Sequence, residues 1–227
     1  MVYKILVFDE LPSTQQFAHE MIASGDAENK TIVVADAQTA GRGRYRRTWI
    51  SEPGNLYASF IYSAQAKRDP RLSYCVAIAV AESLGHFGIA AKIKWPNDIL
   101  VDGKKISGNL IEYAKSFVIV GIGINIKHNP GGLEYETTKT DDYKADVLRD
   151  ELLSVLADRL DFWMGRLLKK DFASVRARWM ELAAAIGAEI KYQNRPATLV
   201  EINADGALVL RRPDGKYLLV MGDEISI

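Results

Sequence analysis

The stretch GRGRYRR, residues 41–47, places four arginines and two glycines within seven residues of a chain whose formal net charge is zero. Guanidinium groups this close together repel one another until an anion binds among them. The alternating glycines, Gly41 and Gly43, leave the backbone free to approach a ligand closely. The segment also has no apolar face that could fix it to a core. We therefore expect a mobile loop that binds an anion, and the sequence of the loop does not specify which anion.

A second set of polar side chains lies within KIKWPNDILVDGKKISGNLIE, residues 92–112. Pro96 favours an extended residue before it and ends the preceding strand. Asn97 and Asp98 then present an amide and a carboxylate at the strand end, where ligand contacts are common. The Asp-Gly pair at 102–103 predicts a tight hairpin turn.

The strand that returns from this hairpin carries Lys105. Because side chains two residues apart in a strand share a face, we expect Lys105 and Ser107 on one face and Ile106 and Gly108 on the other. A lysine among apolar strand residues either leaves the sheet surface or pairs with an anion. A solvated hairpin lysine explains the segment equally well.

Two further segments offer ligand contacts. The apolar run VIVGIGINI contains Gly121 and Gly123, which weaken a strand unless a ligand or another backbone approaches closely, although a bulge would also explain them. Asn125, near its end, offers a donor and an acceptor of the kind that reads the edge of a heterocycle. In PSTQQ, Ser13 is placed to cap a helix, and the free amides of a helix start also receive ligand oxygens.

Regular elements must position these residues. Strand-like runs lie at 3–10, 30–36, 55–62, 90–95, 105–113 and 116–126. Helical patterns lie at 13–23, 71–88, 145–170 and 171–187. We expect Asp171 as the N-cap and Gly187 as the C-cap of the last helix. The polar segment 127–144 predicts a surface loop, and five short strands after residue 187, the last of them DEISI, predict a small barrel docked on the main domain.

The length, composition and charge of the whole chain exclude several classes of protein. Its 227 residues and 48% hydrophobic content indicate one sizeable core, with room for a small second domain. Balanced charge argues against general nucleic-acid binding. The absence of a secretory signal and of a long apolar run argues against a membrane protein. The single cysteine, Cys75, excludes an internal disulfide and fits a reducing cytoplasm.

Taken in order, ELPSTQ, DAQTAGRGRYRRTW, GNLYASF, KWPNDILVDGKKISGNLIE and GIGIN resemble the biotin protein ligases, and GDEIS fits near the C-terminus. The resemblance covers essentially the whole chain. It implies an α+β fold with a mixed sheet and helices, similar to class II aminoacyl-tRNA synthetases, over a catalytic domain at 1–186. It also implies a small SH3-like β-barrel at 187–227.

The resemblance also implies a reaction in two steps. Biotin and MgATP give biotinyl-5′-AMP and pyrophosphate, and a specific lysine of a biotin carboxyl carrier domain then accepts the biotin. The carboxylate nucleophile is already ionised, so positioning and charge stabilisation supply most of the catalysis. The arginine loop is interpreted as a lid that orders over the anionic intermediate and excludes water.

The motifs also imply roles for individual residues. The catalytic residues would be Lys105, Arg44 and Asp98. The biotin site would be formed by Ser13, Thr14, Gln15, Gln38, Gly41, Arg42, Gly43, Arg44, Lys105 and Gly108. The ATP site would be formed by Arg42, Trp49, Lys94, Asn97, Lys105 and Asn125. Asp98 would contact Mg²⁺ or help the acceptor lysine to lose its proton, and both roles stay open.

The chain departs from the family pattern at two positions: Arg46 replaces a glycine, and Asn109 stands where an apolar residue is usual. No DNA-binding helix-turn-helix precedes the motifs, so DNA binding is not expected. A homodimer is expected.

Three alternative functions belong to different classes of protein. A lipoate or octanoate ligase of the same fold would use similar chemistry, a nucleic-acid-binding protein would use the arginine loop with nearby aromatics, and a carrier-binding protein would lack catalysis.

Overall fold

The computed structural model describes residues 3–64, 68–221 and 225. Its larger sheet is formed by β1 (Lys4–Leu11), β2 (Thr31–Gln38), β3 (Leu56–Ser63), β4 (Lys92–Lys94), β5 (Asp98–Val101), β6 (Lys104–Ala114) and β7 (Phe117–Ile124). The strand order is β1-β2-β3-β7-β6-β5-β4. The β1–β2 pair is parallel, and the other neighbouring pairs are antiparallel. The sheet is therefore mixed, as expected.

Four helices cover the two faces of this sheet: α1 (Thr14–Ser24), α2 (Leu72–His86), α3 (Arg149–Leu168) and α4 (Phe172–Leu182). Strand alternation divides the apolar side chains between two clusters. On β2, Val33 packs with Ala18 and Ile22 of α1, whereas Ile32 and Val34 belong to the main core with α2 and α3. The almost wholly apolar α2 is buried along most of its length, as its sequence predicts.

The predicted N-caps are confirmed, but one predicted C-cap is wrong. The Ser13 hydroxyl accepts from Gln16 N at 3.4 Å, and the Asp171 carboxylate accepts from Ser174 N at 3.2 Å. Helix α4 ends at Leu182, so Gly187 is not its C-cap. The chain leaves the helix early because Ala184 N donates to Ile93 O at 2.9 Å and Gly187 N donates to Leu199 O at 2.8 Å. Pairing with neighbouring strands replaces the last helical turns.

A second, smaller sheet follows α4. It is antiparallel in the order β11-β10-β9-β8 and contains β8 (Glu189–Tyr192), β9 (Arg195–Ile202), β10 (Leu208–Arg211) and β11 (Tyr217–Val220). Gly206 and Gly215 have φ of 89° and 83° in the turns NADG and RPDG, which join β9 to β10 and β10 to β11. The fifth predicted strand, DEISI, and the GDEIS motif lie outside the described residues except for Ile225. The Tyr74 hydroxyl of α2 donates to Gly206 O at 2.6 Å and ties the sheet to the larger core.

The segment 127–144 is only partly a surface loop. Lys105 N donates to Glu136 O, and Thr138 N donates to Lys105 O, each at 2.9 Å. This short bridge places residues 136–138 beside the start of β6 and buries Thr140. In the part of the chain that the structure describes, no helix has the length and apolar character that crossing a membrane requires.

Candidate functional site

A cleft lies over β6 and β7 and is covered by α1 on one side and by the arginine loop on the other. Most of the residues that the sequence singles out line it together: Ser13, Thr14, Gln15, Gln38, Arg42, Gly43, Arg44, Trp49, Asn97, Asp98, Lys105 and Gly108. Three others lie around it. Gly41 is buried at the base of the arginine loop, Lys94 lines an adjoining groove, and Asn125 lines a small cavity beside Trp49.

The two glycines of β7 form part of the cleft floor. A Cβ atom at Gly121 would lie 2.5 Å from Gln15 Oε1, and one at Gly123 would lie 2.5 Å from Cε2 and Nε1 of Trp49. Pairing of β7 with β3 and β6 continues in regular register through both residues, so a bulge does not explain them. The glycines make room for two side chains that cover the strand.

One end of the cleft is a network of uncharged polar groups at the start of α1. The Thr14 amide and hydroxyl both donate to Gln38 Oε1, at 2.9 and 3.2 Å. The Ser59 hydroxyl lies 2.9 Å from Thr14 Oγ1 and 3.0 Å from Gln15 Oε1. Sequence reasoning missed Ser59, although a serine inside the buried run NLYASFIY was a visible signal. Such a network suits a neutral ligand with several donors and acceptors.

Glu112 is a second residue that the sequence analysis missed. Its Oε2 atom accepts from Gln15 Nε2 at 2.9 Å and lies 2.9 Å from His19 Nε2. Glu112 lies on β6 near its end, and no local sequence signal connects it with α1. Together with Ser59 it fixes the Gln15 amide, since each end of that amide has a partner.

The arginine loop forms a small hairpin. Trp49 N donates to Gly41 O at 2.9 Å, and Gly43 N donates to Arg47 O at 2.8 Å. A Cβ atom at Gly41 would lie 2.3 Å from Trp49 O, so the hairpin requires glycine there. At the tip, Tyr45 and Arg46 have φ of 55° and 61°. Left-handed backbone costs a non-glycine residue roughly 1–2 kcal/mol, a cost that glycine at either position would avoid.

Lys105 lies at the centre of the cleft. Its Nζ atom is 2.7 Å from Asp98 Oδ1, and their side chains are only 14% and 22% exposed. The same ammonium lies 5.4 Å from the Trp49 ring centroid and 5.1 Å from the Tyr135 ring centroid. Two aromatic faces and one carboxylate therefore hold this cation in a partly dry site. Tyr135, which the sequence reasoning placed in a surface loop, reaches the site through the bridge between Lys105 and residues 136–138.

The expected alternation along β6 is wrong at one point. Leu100 pairs with Lys105 and Ile99 pairs with Ser107, which leaves Ile106 as an extra residue in a β-bulge. A Cβ atom at Gly108 would lie 3.4 Å from Lys105 Cε, so Gly108 shares the face of Lys105. Ile106 is fully buried in the main core. The bulge thus brings the lysine and the glycine into one cleft.

Asn125 carries an orphan acceptor close to this centre. Its Nδ2 atom donates to Thr138 O at 2.9 Å. Its buried Oδ1 has no hydrogen-bond partner among the described residues, and the same is true of the buried Trp49 Nε1. Buried polar groups are rarely left unpaired, so an orphan donor and an orphan acceptor beside one small cavity indicate that a water or a polar edge of a ligand binds there.

Comparisons with known proteins agree on one family. Residues 7–129 match the biotin/lipoate A/B protein ligase family. The chain belongs to this family. It is 33% identical over 236 residues to the bifunctional ligase/repressor BirA of Bacillus subtilis, covering 93% of this chain and 70% of that protein. It is 34% identical over 207 residues to the biotin–[acetyl-CoA-carboxylase] ligase of Paracoccus denitrificans, covering 82% and 86%.

A solved structure supports the same assignment. The fold is similar to that of the biotin protein ligase from Aquifex aeolicus in complex with biotin and ATP, with a TM-score of 0.89 at 27% identity. The match covers 99% of this chain and 98% of that chain. The larger mixed sheet and the smaller antiparallel sheet are therefore features that this chain shares with a known ligase of the family.

The side chains that line the cleft decide whether it could hold the expected magnesium ion. Among the described residues, no group of three or more His, Cys, Asp and Glu side chains is placed to hold a metal. Of the described residues that line the cleft, Asp98 is the only carboxylate, and the adjoining groove adds Asp102, Glu134 and Glu136. Magnesium in nucleotide sites is usually held by one or two carboxylates, substrate phosphates and water. The residues therefore fit Mg²⁺ that binds together with the phosphates of ATP.

Proposed function

We propose that this chain is a biotin protein ligase. It activates biotin with ATP to biotinyl-5′-AMP and transfers the biotin to a lysine of a biotin carboxyl carrier domain. The observation that carries the proposal is the position of Lys105. Its ammonium lies between the polar network of α1 and the Trp49 cavity with its orphan groups. A cation is thus held where a carboxylate and an α-phosphate would meet.

The biotin end is the network at the start of α1. Ser13, Thr14, Gln15 and Gln38 offer the donors and acceptors that the ureido ring needs. Arg42, Gly43 and Arg44 cover this end, and Gly41 supports the hairpin from below. Gly108 leaves room beside Lys105 for the valeryl chain and its carboxylate.

The ATP end is the cavity around Trp49 and Asn125. The Trp49 ring offers a stacking surface for adenine, and Asn125 Oδ1 offers an acceptor for the exocyclic amine. Lys94 and Asn97 line the groove that continues from Asp98 and Lys105. We assign the phosphates to that groove because positive side chains and an amide are available along it.

The chemistry needs positioning more than proton transfer. A carboxylate oxygen of biotin attacks the α-phosphorus, and the bond from that phosphorus to the bridging oxygen of pyrophosphate breaks. Lys105 and the lid arginines, Arg42 and Arg44, stabilise the charge that develops. Mg²⁺ held by Asp98 and the phosphates would add Lewis-acid stabilisation.

Transfer consumes the mixed anhydride. The neutral amine of the acceptor lysine attacks the biotinyl carbonyl carbon, an amide bond forms, and AMP leaves. Asp98 serves either the metal or the proton of the acceptor amine. Loss of transfer alone in Asp98→Asn would assign the proton. Because Asp98 also pairs with Lys105 at 2.7 Å, loss of adenylation assigns the metal only if the Mg²⁺ concentration that half-saturates the exchange reaction also rises.

Several finer features are part of the proposal. We assign residues 1–186 to a catalytic domain similar to class II aminoacyl-tRNA synthetases and residues 187–227 to an SH3-like barrel. We also expect a homodimer in the cytoplasm that does not bind DNA. Size-exclusion chromatography with light scattering tests the dimer, and a DNA mobility-shift assay tests the last expectation.

Biotin-dependent exchange of labelled pyrophosphate into ATP tests the reaction, with lipoate and octanoate in parallel. The proposal requires exchange with biotin and not with the other two acids. Exchange with lipoate or octanoate alone would keep the adenylate chemistry and overturn the substrate. Absence of exchange with all three acids would refute the enzyme and leave a binding protein.

A further inference from the structure

Asn109 is a polar residue of β6 that is almost fully buried, with 5% exposure. Its backbone N donates to Asn97 O at 3.2 Å, and its side-chain Nδ2 donates to the same oxygen at 3.0 Å. In return, Asn97 Nδ2 donates to Asn109 O at 3.1 Å. The two asparagines therefore hold each other through three hydrogen bonds, which we call the asparagine clasp.

The clasp fixes the orientation of the Asn97 amide. Because Nδ2 of Asn97 is engaged by Asn109 O, its Oδ1 faces the opposite way, and it accepts from Arg44 Nη1 at 3.2 Å. Both contacts agree on which atom is oxygen and which is nitrogen, since a carbonyl can only accept and a guanidinium can only donate. A lid arginine is thus bonded to a residue that the clasp holds in place.

The clasp also forms a wall. Behind the main cleft lies a second cavity of about 220 Å³, and Arg44, Asn97, Asn109 and Leu110 border both spaces. Tyr74, Trp95 and Tyr113 line the far side of the second cavity. Loosening the wall would give the contents of the cleft a second route to solvent.

We infer that Asn109 is a positioning residue that acts through Asn97 to hold Arg44, and with it the lid, over the adenylate. The inference rests on the proposed function, because it assigns to this chain a way of retaining its intermediate. An apolar residue at position 109 would keep the two contacts made by its backbone, including the one that engages Asn97 Nδ2, and would lose the Nδ2 bond to Asn97 O. The Asn97 backbone, and with it the side chain that accepts from Arg44, would then be held by one hydrogen bond fewer.

The first test measures retention of biotinyl-5′-AMP. Protein is loaded with labelled biotin and ATP, freed of excess ligand, and the bound adenylate is followed with time. We expect Asn109→Leu to release it about fivefold faster, close to the effect of weakening one charge-assisted hydrogen bond. Ile119→Val, a packing change on the neighbouring strand β7 at a buried residue that lines neither cavity, should stay within about twofold of the parent protein.

A double-mutant cycle separates positioning from general loosening. If Asn109 acts through Arg44, Asn109→Leu adds little to the release rate once Arg44→Ala is present. Independent effects that multiply in full would overturn the inference, as would an unchanged release rate in Asn109→Leu. Should Asn109→Leu fail to fold by circular dichroism, Asn109→Ala replaces it in the same cycle.

Tryptic cleavage within residues 41–47 gives a readout that needs no catalysis. We expect the lid of Asn109→Leu to be cut several-fold faster than that of the parent protein in the absence of ligands, since Arg44 is less firmly held. Equal cleavage rates would contradict the inference. A parent protein that forms no adenylate would instead refute the proposed function, and cleavage would still decide the role of Asn109.

Discussion

Gly121 and Gly123 provide a matched pair of perturbations, because each lies under a different covering side chain. A methyl group at Gly123 would lie 2.5 Å from Trp49 Cε2, and the neighbouring atom Cζ2 would be 2.7 Å away. A methyl group at Gly121 would lie 2.5 Å from Gln15 Oε1 and 3.3 Å from its Cδ. Gly123→Ala must therefore move the Trp49 ring, and Gly121→Ala must move the Gln15 amide.

The size of the effect follows from these contacts. Carbon atoms prefer about 3.5–4.0 Å, so both substitutions require displacements of about 1 Å or more. Overpacking of this kind typically costs 1–3 kcal/mol. If half of that cost appears as lost binding, roughly 1 kcal/mol corresponds to a fivefold to tenfold rise in KM. Neither change removes a charged group from the reaction.

The assay is biotin-dependent pyrophosphate exchange, with KM measured for each substrate in turn. We expect Gly123→Ala to raise KM for ATP about tenfold and KM for biotin less than threefold, and Gly121→Ala to do the reverse. Thermal unfolding of both variants shows whether the fold is retained. Equal effects on the two substrates in both variants would refute the division of the cleft into a biotin end and an ATP end.

Three further predictions concern single residues. Lys105→Ala should abolish adenylate formation while thermal unfolding stays cooperative, and normal adenylation would remove its assigned role. Burial raises the pKa of the Cys75 thiol to about 12, so at pH 8 it should react with a thiol reagent only as the protein unfolds; rapid labelling of the native protein would contradict this burial. Asn55 Oδ1 accepts from the backbone amides of residues 126–128 at 2.8, 2.9 and 3.1 Å, so Asn55→Ala should lower the free energy of unfolding by about 3 kcal/mol in urea denaturation. Asn55→Asp keeps this acceptor but replaces the buried donor to His128 O, 2.8 Å away, by an oxygen, so it should also destabilise the protein; parent-like stability of either variant would contradict this role.

The features that the sequence predicted correctly are local ones. The Asp-Gly turn at 102–103 has φ of 50° and 77°, as a tight hairpin requires, because both residues lie within four positions of their partners. Ser13 and Asp171 cap helices through amides three residues away. Motif order also placed most of the cleft residues together, although their roles stay predictions.

The features that were missed depend on distant partners. The end of α4 at Leu182 is set by strands around Ile93 and Leu199, which no helix pattern contains. The position of Tyr135 depends on pairing between Lys105 and residues 136–138. The bulge at Ile106 depends on the register of β5 against β6. Each of these three features depends on which segment of the chain is adjacent in space. The periodicity of the sequence does not contain that information.

Gly121 and Gly123 lie on one strand, β7, and the strand therefore fixes the distance between the two ends of the cleft. Two residues of an antiparallel strand span about 7 Å, and this spacing is fixed by backbone geometry that no side-chain change alters. Movements of α1 or of the lid can change how deep each pocket is, but they cannot change how far apart Gly121 and Gly123 lie. Under the proposed division of the cleft, acceptance of a longer or shorter acid would therefore depend on the walls, at Gln15, Ser59 or Gly108. The same proposal makes the distance between the two substrates a property of the β7 backbone.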